Sequence, residues 1–280
     1  HVPYPLRVPK QPTRLDLRDL DTRPPDDLDR DEAREETARL HVRLAELQEL
    51  LYGAATHSLL VVLQGMDAGG KDGAINKLSA GLNTQGTSVV SFKVPTPLEA
   101  AHDYLWRIHR ETPGRGQVTI FNRSHYEEVG VVRVHNLVPE KVWRGRYEQI
   151  NAFESLLADS CTVIAKFWLH ISPEEQKQRL LEREQDPTKA WKLNPGDWEE
   201  RQLWDDYQQA YSEAIGRCAC KHAPWFVVPA DAKWYRDLAL AHTLVKLLEP
   251  LADDWRAALD KVGETQRAAL DAWRSEHSGA

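Results

Sequence analysis

The stretch HSLLVVLQGMDAGGKDGAINKLSAGL, residues 57–82, constrains the fold more than any other part of the chain. An apolar run passes directly into a glycine-rich segment and then into residues with helical spacing. Residues 57–64 read as a buried strand and residues 71–82 as the helix that follows. Strand, glycine turn and helix in that order belong to a parallel α/β architecture and form a phosphate-binding loop. Glycines let backbone N–H groups turn inward around phosphate oxygens, and the helix adds its positive end. Gly65, Ala68, Gly69, Gly70, Lys71, Asp72 and Gly73 are therefore the candidate phosphate-binding residues, with Lys71 as the point charge. The fit to G-x-x-x-x-G-K-[ST] stops at Asp72, which stands where a magnesium-ligating hydroxyl is expected. A second carboxylate, Asp67, lies inside the loop. Two acids where a polyanion should bind need a reason.

The alternation continues along the chain. Strands are expected at 87–94, 118–122, 161–170 and 224–230, and helices at 28–51, 97–110, 139–158, 173–185 and 197–217. Two more helices, separated by Pro250, close the chain. Five apolar strands separated by helices give a five-stranded parallel sheet covered on both faces. Residues 1–27, rich in Pro and charge, read as an extended arm; 28–250 as the α/β domain, with a lid at about 174–204; and 251–280 as a C-terminal helix.

A formal charge of −7 argues against general nucleic-acid binding and confines any basic site to a local patch. No apolar run approaches the roughly 18 residues of a membrane span. Three cysteines make no disulfide framework, and the opening residues hold no apolar secretion core, so a cytoplasmic protein is expected.

Ligands in such sheets bind at the carboxyl ends of the strands. There the loop meets IFNRSHYEEVG, residues 120–130. Asn122 occupies a position that commonly holds a magnesium-positioning acid, and Arg123 can clamp phosphate with two donors. Glu127 and Glu128 follow one turn later; the same stretch also reads as a helix start capped by Ser124. Farther on, Arg179 and Arg183 share a helix face, and Lys189 and Lys192 lie in a Pro- and Gly-bounded loop. As a group they read as a cationic lid over phosphates, although a solvated face with ion pairs accounts for any one of them.

GMDAGGKDG, FNRSHYEEV, the basic segment at 174–204 and APWFVVPADAKWYR (223–236) together resemble the polyphosphate kinase 2 family, over about residues 10–250. The resemblance implies a phosphate-loop kinase fold related to thymidylate kinase. It also implies Mg²⁺-dependent phosphoryl transfer between inorganic polyphosphate and nucleotides, with Mn²⁺ as a substitute ion. Asp67 falls on the family's loop acid, which implies a metal role, with catalytic roles for Lys71 and Arg123; Asn122 is a weaker metal ligand than an acid, and spacing offers Glu127 as the residue that supplies the missing charge. Asn122 followed by SHYEEV looks like the class III subgroup, which phosphorylates AMP as well as ADP, in the direction of ATP. Polyphosphate is then expected along Arg123, Arg179, Arg183, Lys189 and Lys192, and the nucleotide near Lys233 and Arg236. A homo-oligomer is expected as well. An ATP-dependent nucleoside monophosphate kinase, or a nucleotide-binding switch without turnover, are the alternatives the fold permits.

Overall fold

The computed structural model describes residues 6–9 and 15–277. In chain order its strands are β1 (Leu6–Arg7), β2 (Ser58–Gly65), β3 (Thr87–Ser91), β4 (Val118–Asn122), β5 (Thr162–His170) and β6 (Trp225–Pro229). The helices before the midpoint are α1 (Arg30–Ala54), α2 (Lys71–Ser79), α3 (Pro97–Ala100), α4 (Trp106–His109) and α5 (Val131–Val134). After it come α6 (Glu140–Asp159), α7 (Pro173–Gln185), α8 (Pro195–Arg201), α9 (Trp204–Cys218), α10 (Lys233–Leu248) and α11 (Ala252–Glu276). None of the described helices is long and apolar enough to cross a membrane.

The sheet order is β1-β6-β5-β2-β4-β3. The five strands β2 to β6 pair in parallel, as the alternation of apolar runs predicts. β1 is an addition: Leu6 and Arg7 pair antiparallel with Val227 and Phe226 at the edge. The arm is thus partly built into the body, and Val8 and Leu17 are buried with it. A two-residue strand of one leucine and one arginine in a Pro-rich arm carries no periodicity, which is why pattern alone does not show it.

β2 occupies the middle of the sheet, between β5 and β4, and its side chains alternate between two cores. Leu59, Val61 and Leu63 meet Leu44, Leu47, Leu51, Leu240 and Leu244 of α1 and α10. Leu60 and Val62 meet Trp168, Trp225, Ile150 and Tyr211 on the opposite side. Leu60 and Leu63 are fully buried, which contributes about 2 kcal/mol each. β2 is thereby held rigidly, and the loop at its carboxyl end starts from a fixed point.

Two expected helices are each split. Residues 97–110 form α3 and α4, because the Asp103 carboxylate accepts from the Leu105 backbone N–H and starts a new turn. Residues 197–217 divide at Gln202 and Leu203 into α8 and α9. Pro250 lies in a 3-10 turn, Glu249–Leu251, between α10 and α11.

Candidate active site

The loop between β2 and α2 closes on its own glycines. A Cβ at Gly65 would lie 2.9 Å from the Leu169 carbonyl oxygen, closer than real Cβ contacts allow. Gly70 sits at φ +94° and begins α2 with no side-chain cap, leaving its first N–H groups directed at the loop. Ala68 is also left-handed, at φ +60°. Lys71, nearly buried, curls back to donate to the carbonyls of Gly65 at 2.8 Å and Met66 at 3.1 Å. Burial, reinforced by the charge of Arg123, pushes its ammonium down to about 8. A phosphate oxygen would be a better partner for that charge than two carbonyls.

Arg123 follows β4 and is left-handed at φ +61°, a conformation that costs of order 1 kcal/mol in a non-glycine residue. The turn carries its guanidinium to Asp67 at 2.8 Å and Glu127 at 3.6 Å. Burial works against the charged form, but Glu127 and Asp67 outweigh it and hold the guanidinium above its ordinary value. Glu127 also accepts from Gln64 Nε2 at 2.9 Å, and Gln64 Oε1 accepts from Ser124 Oγ at 3.0 Å. Ser124 meanwhile caps the 3-10 turn His125–Glu128, as the capping reading of this motif expects. Glu128 turns away and pairs with Arg146 at 2.7 Å.

Asp72 belongs to a second group. It accepts from Asn122 Nδ2 at 2.9 Å and from Lys192 Nζ at 2.5 Å, and Lys192 above all holds its carboxyl below the usual range. Lys192 comes from the 3-10 turn Pro187–Lys192 between α7 and α8, so the lid segment touches the loop helix directly. The two acids therefore each hold a cation: Asp67 holds Arg123 and Asp72 holds Lys192. Phosphates entering the loop would take over both partners.

The other basic residues divide by their contacts. Arg179 is nearly buried and spends its donors on Glu175, the Ala68 carbonyl, and the carbonyls of Ala230 and Asp231. Arg236, also buried, donates to the Gly70 carbonyl at 3.1 Å and forks onto Asp237. Arg179 braces the loop against the turn before α10, and Arg236 braces it against α10 itself. Arg183 pairs with Asp197 at 2.8 Å, Lys189 with Asp186 at 2.8 Å, and Lys233 is exposed.

A buried network behind the motif escapes sequence reasoning. Lys166 Nζ, fully buried on β5, donates to Glu154 Oε2 at 2.5 Å, to Tyr126 Oη at 2.8 Å and to the Cys218 carbonyl at 2.8 Å. Tyr126 and His125 reach the other oxygen of Glu154 at 2.7 and 3.0 Å. The histidine and tyrosine of FNRSHYEEV thus anchor the turn that carries Arg123. The signal available was a lone lysine in the apolar run CTVIAKFWLH and a lone glutamate in NAFESLL.

Among the described residues no group of three or more His, Cys, Asp or Glu is placed to hold a metal alone. Mg²⁺ needs no such cage, because it binds through one or two carboxylates and completes its shell with water and substrate phosphate. Asp67 and Glu127, two hard oxygen donors flanking Arg123, fit that requirement. Asn122 is engaged with Asp72 instead.

A central parallel sheet, a glycine loop running into a helix with its lysine, and cations converging from β4 and from a lid define a phosphate-loop protein of the kinase type. Residues 27–254 match the family described as Polyphosphate kinase 2. The chain belongs to that family. It is 55% identical over 220 residues to the AMP/ADP-polyphosphate phosphotransferase of Meiothermus ruber, covering 79% of this chain and 82% of the relative. It is 42% identical over 221 residues to the ADP-polyphosphate phosphotransferase of Rhodopseudomonas palustris, covering 75% and 76%. The crystal structure of polyphosphate kinase 2 from Arthrobacter aurescens TC1 superposes with a TM-score of 0.82 at 38% identity, over 89% of this chain and 93% of that one.

Proposed function

We propose that this chain transfers the terminal phosphoryl group of inorganic polyphosphate to AMP and ADP, forming ADP and ATP, as a class III member of its family. The observation that carries this is the convergence of Lys71, Arg123 and Lys192 on one glycine loop, each held by a carbonyl or carboxylate that a phosphate oxygen can replace. The names of the Meiothermus and Rhodopseudomonas relatives support the donor and the acceptors.

An oxygen of the acceptor's terminal phosphate attacks the end phosphorus of the chain. A new P–O–P bond forms, the old bridging P–O bond breaks, and its electron pair stays on the shortened polyphosphate. Lys71 and Arg123 neutralise the equatorial oxygens as charge spreads over them. Lys192 and Arg183 close the lid side of the donor groove, and Arg179 and Arg236 keep the loop in place. Asp67 and Glu127 would hold Mg²⁺, or Mn²⁺ in its stead, which screens the two polyanions from one another. Lys233 is assigned to the nucleotide side.

Residues 28–250 form the transferase unit in this reading, with the lid at about 174–204 inside it, and α11 follows as the C-terminal helix, its Trp255 buried in the core. A cytoplasmic home fits three free thiols. A homo-oligomer fits the exposed Val262, Leu270 and Trp273 of α11. The test is incubation with Mg²⁺, polyphosphate and AMP, following ADP and ATP over time. AMP consumed to ADP and then ATP supports the reading. Product from added ADP alone rejects the class III assignment, and product only when ATP is the donor rejects polyphosphate altogether.

A further inference from the structure

Gln64 stands near the end of the apolar run of β2 as a fully buried polar side chain, in a place where an amide is costly unless its bonds are made. Those bonds have one consistent polarity. The Tyr126 backbone N–H donates to Ser124 Oγ at 3.1 Å, and the Ser124 hydroxyl donates in turn to Gln64 Oε1 at 3.0 Å. The Gln64 amide nitrogen donates to Glu127 Oε1 at 2.9 Å and to Tyr211 Oη at 3.0 Å. Tyr211, having accepted there, turns its own proton toward Glu127 Oε1 at 3.4 Å. A flipped amide would set its oxygen against the Glu127 carboxylate, two acceptors face to face.

Tyr211 reaches this point from α9, the helix that follows the lid. Its ring packs on Trp168, with centroids 4.4 Å apart. It also passes so close to the end of the motif that a Cβ at Gly130 would lie 2.4 Å from Tyr211 Oη. A side chain at position 130 would push the phenol off the carboxylate, which gives Gly130 a reason that the phosphate-binding reading of the motif does not supply.

Two donors therefore converge on one oxygen of Glu127, and the other, Oε2, faces Arg123 at 3.6 Å. The two-oxygen fork that an arginine and a carboxylate prefer is not formed. The torsional freedom of a glutamate is removed here by bonds within the free chain, so it is not lost again when a ligand arrives.

We propose that Gln64 and Tyr211 are positioning residues for the metal: they pin Oε1 of Glu127, so that the carboxylate presents its remaining oxygen to Mg²⁺ already oriented. The inference rests on the metal role given to Glu127 above and deepens it. Groups that hydrogen-bond a ligating side chain fix its orientation, and losing one costs about 10–100-fold in metal affinity or activity.

The test is Mn²⁺ binding to the full chain with ADP and no polyphosphate, read from the relaxation rate of water protons, beside Mg²⁺-dependent kinetics with polyphosphate. Tyr211→Phe removes one hydroxyl and keeps the ring, and Gln64→Met removes the amide at similar length. In each the Kd for Mn²⁺ should rise about tenfold and the Mg²⁺ concentration for half-maximal rate should rise with it, while the ADP KM at saturating Mg²⁺ stays within about twofold of wild type. Glu127→Gln should lose at least as much Mn²⁺ affinity. Adding Tyr211→Phe to it should cost nothing further, because the pin then has no carboxylate to hold. Tyr211→Phe and Gln64→Met chains that both bind Mn²⁺ within about twofold of wild type overturn the proposal, as does a double variant whose losses add. Unchanged Mn²⁺ binding in Glu127→Gln removes the metal role and the proposal with it, and leaves the polyphosphate assignment standing. A wild type that forms no product from polyphosphate, with the Mn²⁺ losses as expected, rejects that assignment and leaves the positioning role in place.

Discussion

Replacing Lys166 by methionine should destabilise the chain by about 3–5 kcal/mol near neutral pH, because it leaves a buried carboxylate without its cation. Lys166 and Glu154 are both fully buried, and the ammonium meets the carboxylate at 2.5 Å. Burial alone would raise the Glu154 carboxyl, but Lys166 and His125 outweigh it and keep the group below its ordinary value. In the wild type Glu154 therefore adds stability that is complete above its unfolded value and is lost as pH falls through its folded one. Without Lys166 the sign reverses. Burial then raises Glu154, the folded state binds the extra proton, and stability falls as pH rises through the raised value. The penalty should accordingly be smaller near pH 5 than near pH 8. Urea unfolding of the wild type and the variant at both pH values measures it, and Glu154→Gln in the variant background should recover part of the loss. A penalty below about 1 kcal/mol at both values, or one that grows as pH falls, would refute a buried ionic anchor.

Three other perturbations bear on the loop. Asp67→Asn should lower kcat about 10²-fold or more, with the fold intact by circular dichroism; turnover within a few-fold of wild type would remove Asp67 from the reaction. Lys71, poised at about 8, should take up a fraction of a proton when polyphosphate binds near pH 8 and almost none near pH 6, where it is already charged. Calorimetry in buffers of different ionisation enthalpy reads this, and proton release near pH 8 would contradict it. Lys192→Met should leave stability within about 1 kcal/mol, since the Lys192–Asp72 pair is partly exposed, while raising the donor KM several-fold. A large loss of stability with an unchanged donor KM would make the pair structural.

What was legible in the sequence was local. The glycine loop, Lys71 and Arg123 lie within short stretches whose conformation their own residues dictate, and the parallel sheet follows from apolar runs recurring between helical segments. What was not legible depended on contacts between distant segments. Asp72 reads from sequence as an acid standing where the loop pattern expects a hydroxyl, and only the fold brings Lys192, 120 residues away, onto it. Arg179 reads as one cation of a lid face, yet its donors are taken by carbonyls on the loop and on the turn before α10. The Glu154–Lys166 anchor spans α6 and β5, and neither residue alone distinguishes a buried charge from a break in an apolar pattern. Leu6 and Arg7 needed the free edge of β6 to become a strand.

The central claim is that polyphosphate itself, and no nucleoside triphosphate, supplies the phosphoryl group. Phosphorus NMR of one reaction holding the chain, Mg²⁺, long-chain polyphosphate and ADP tests it directly. The inner-chain signal should shrink in step with growth of the ATP β-phosphate signal, without stoichiometric orthophosphate. A polyphosphate signal that stays constant, or one that decays only to orthophosphate while ADP is untouched, would contradict it.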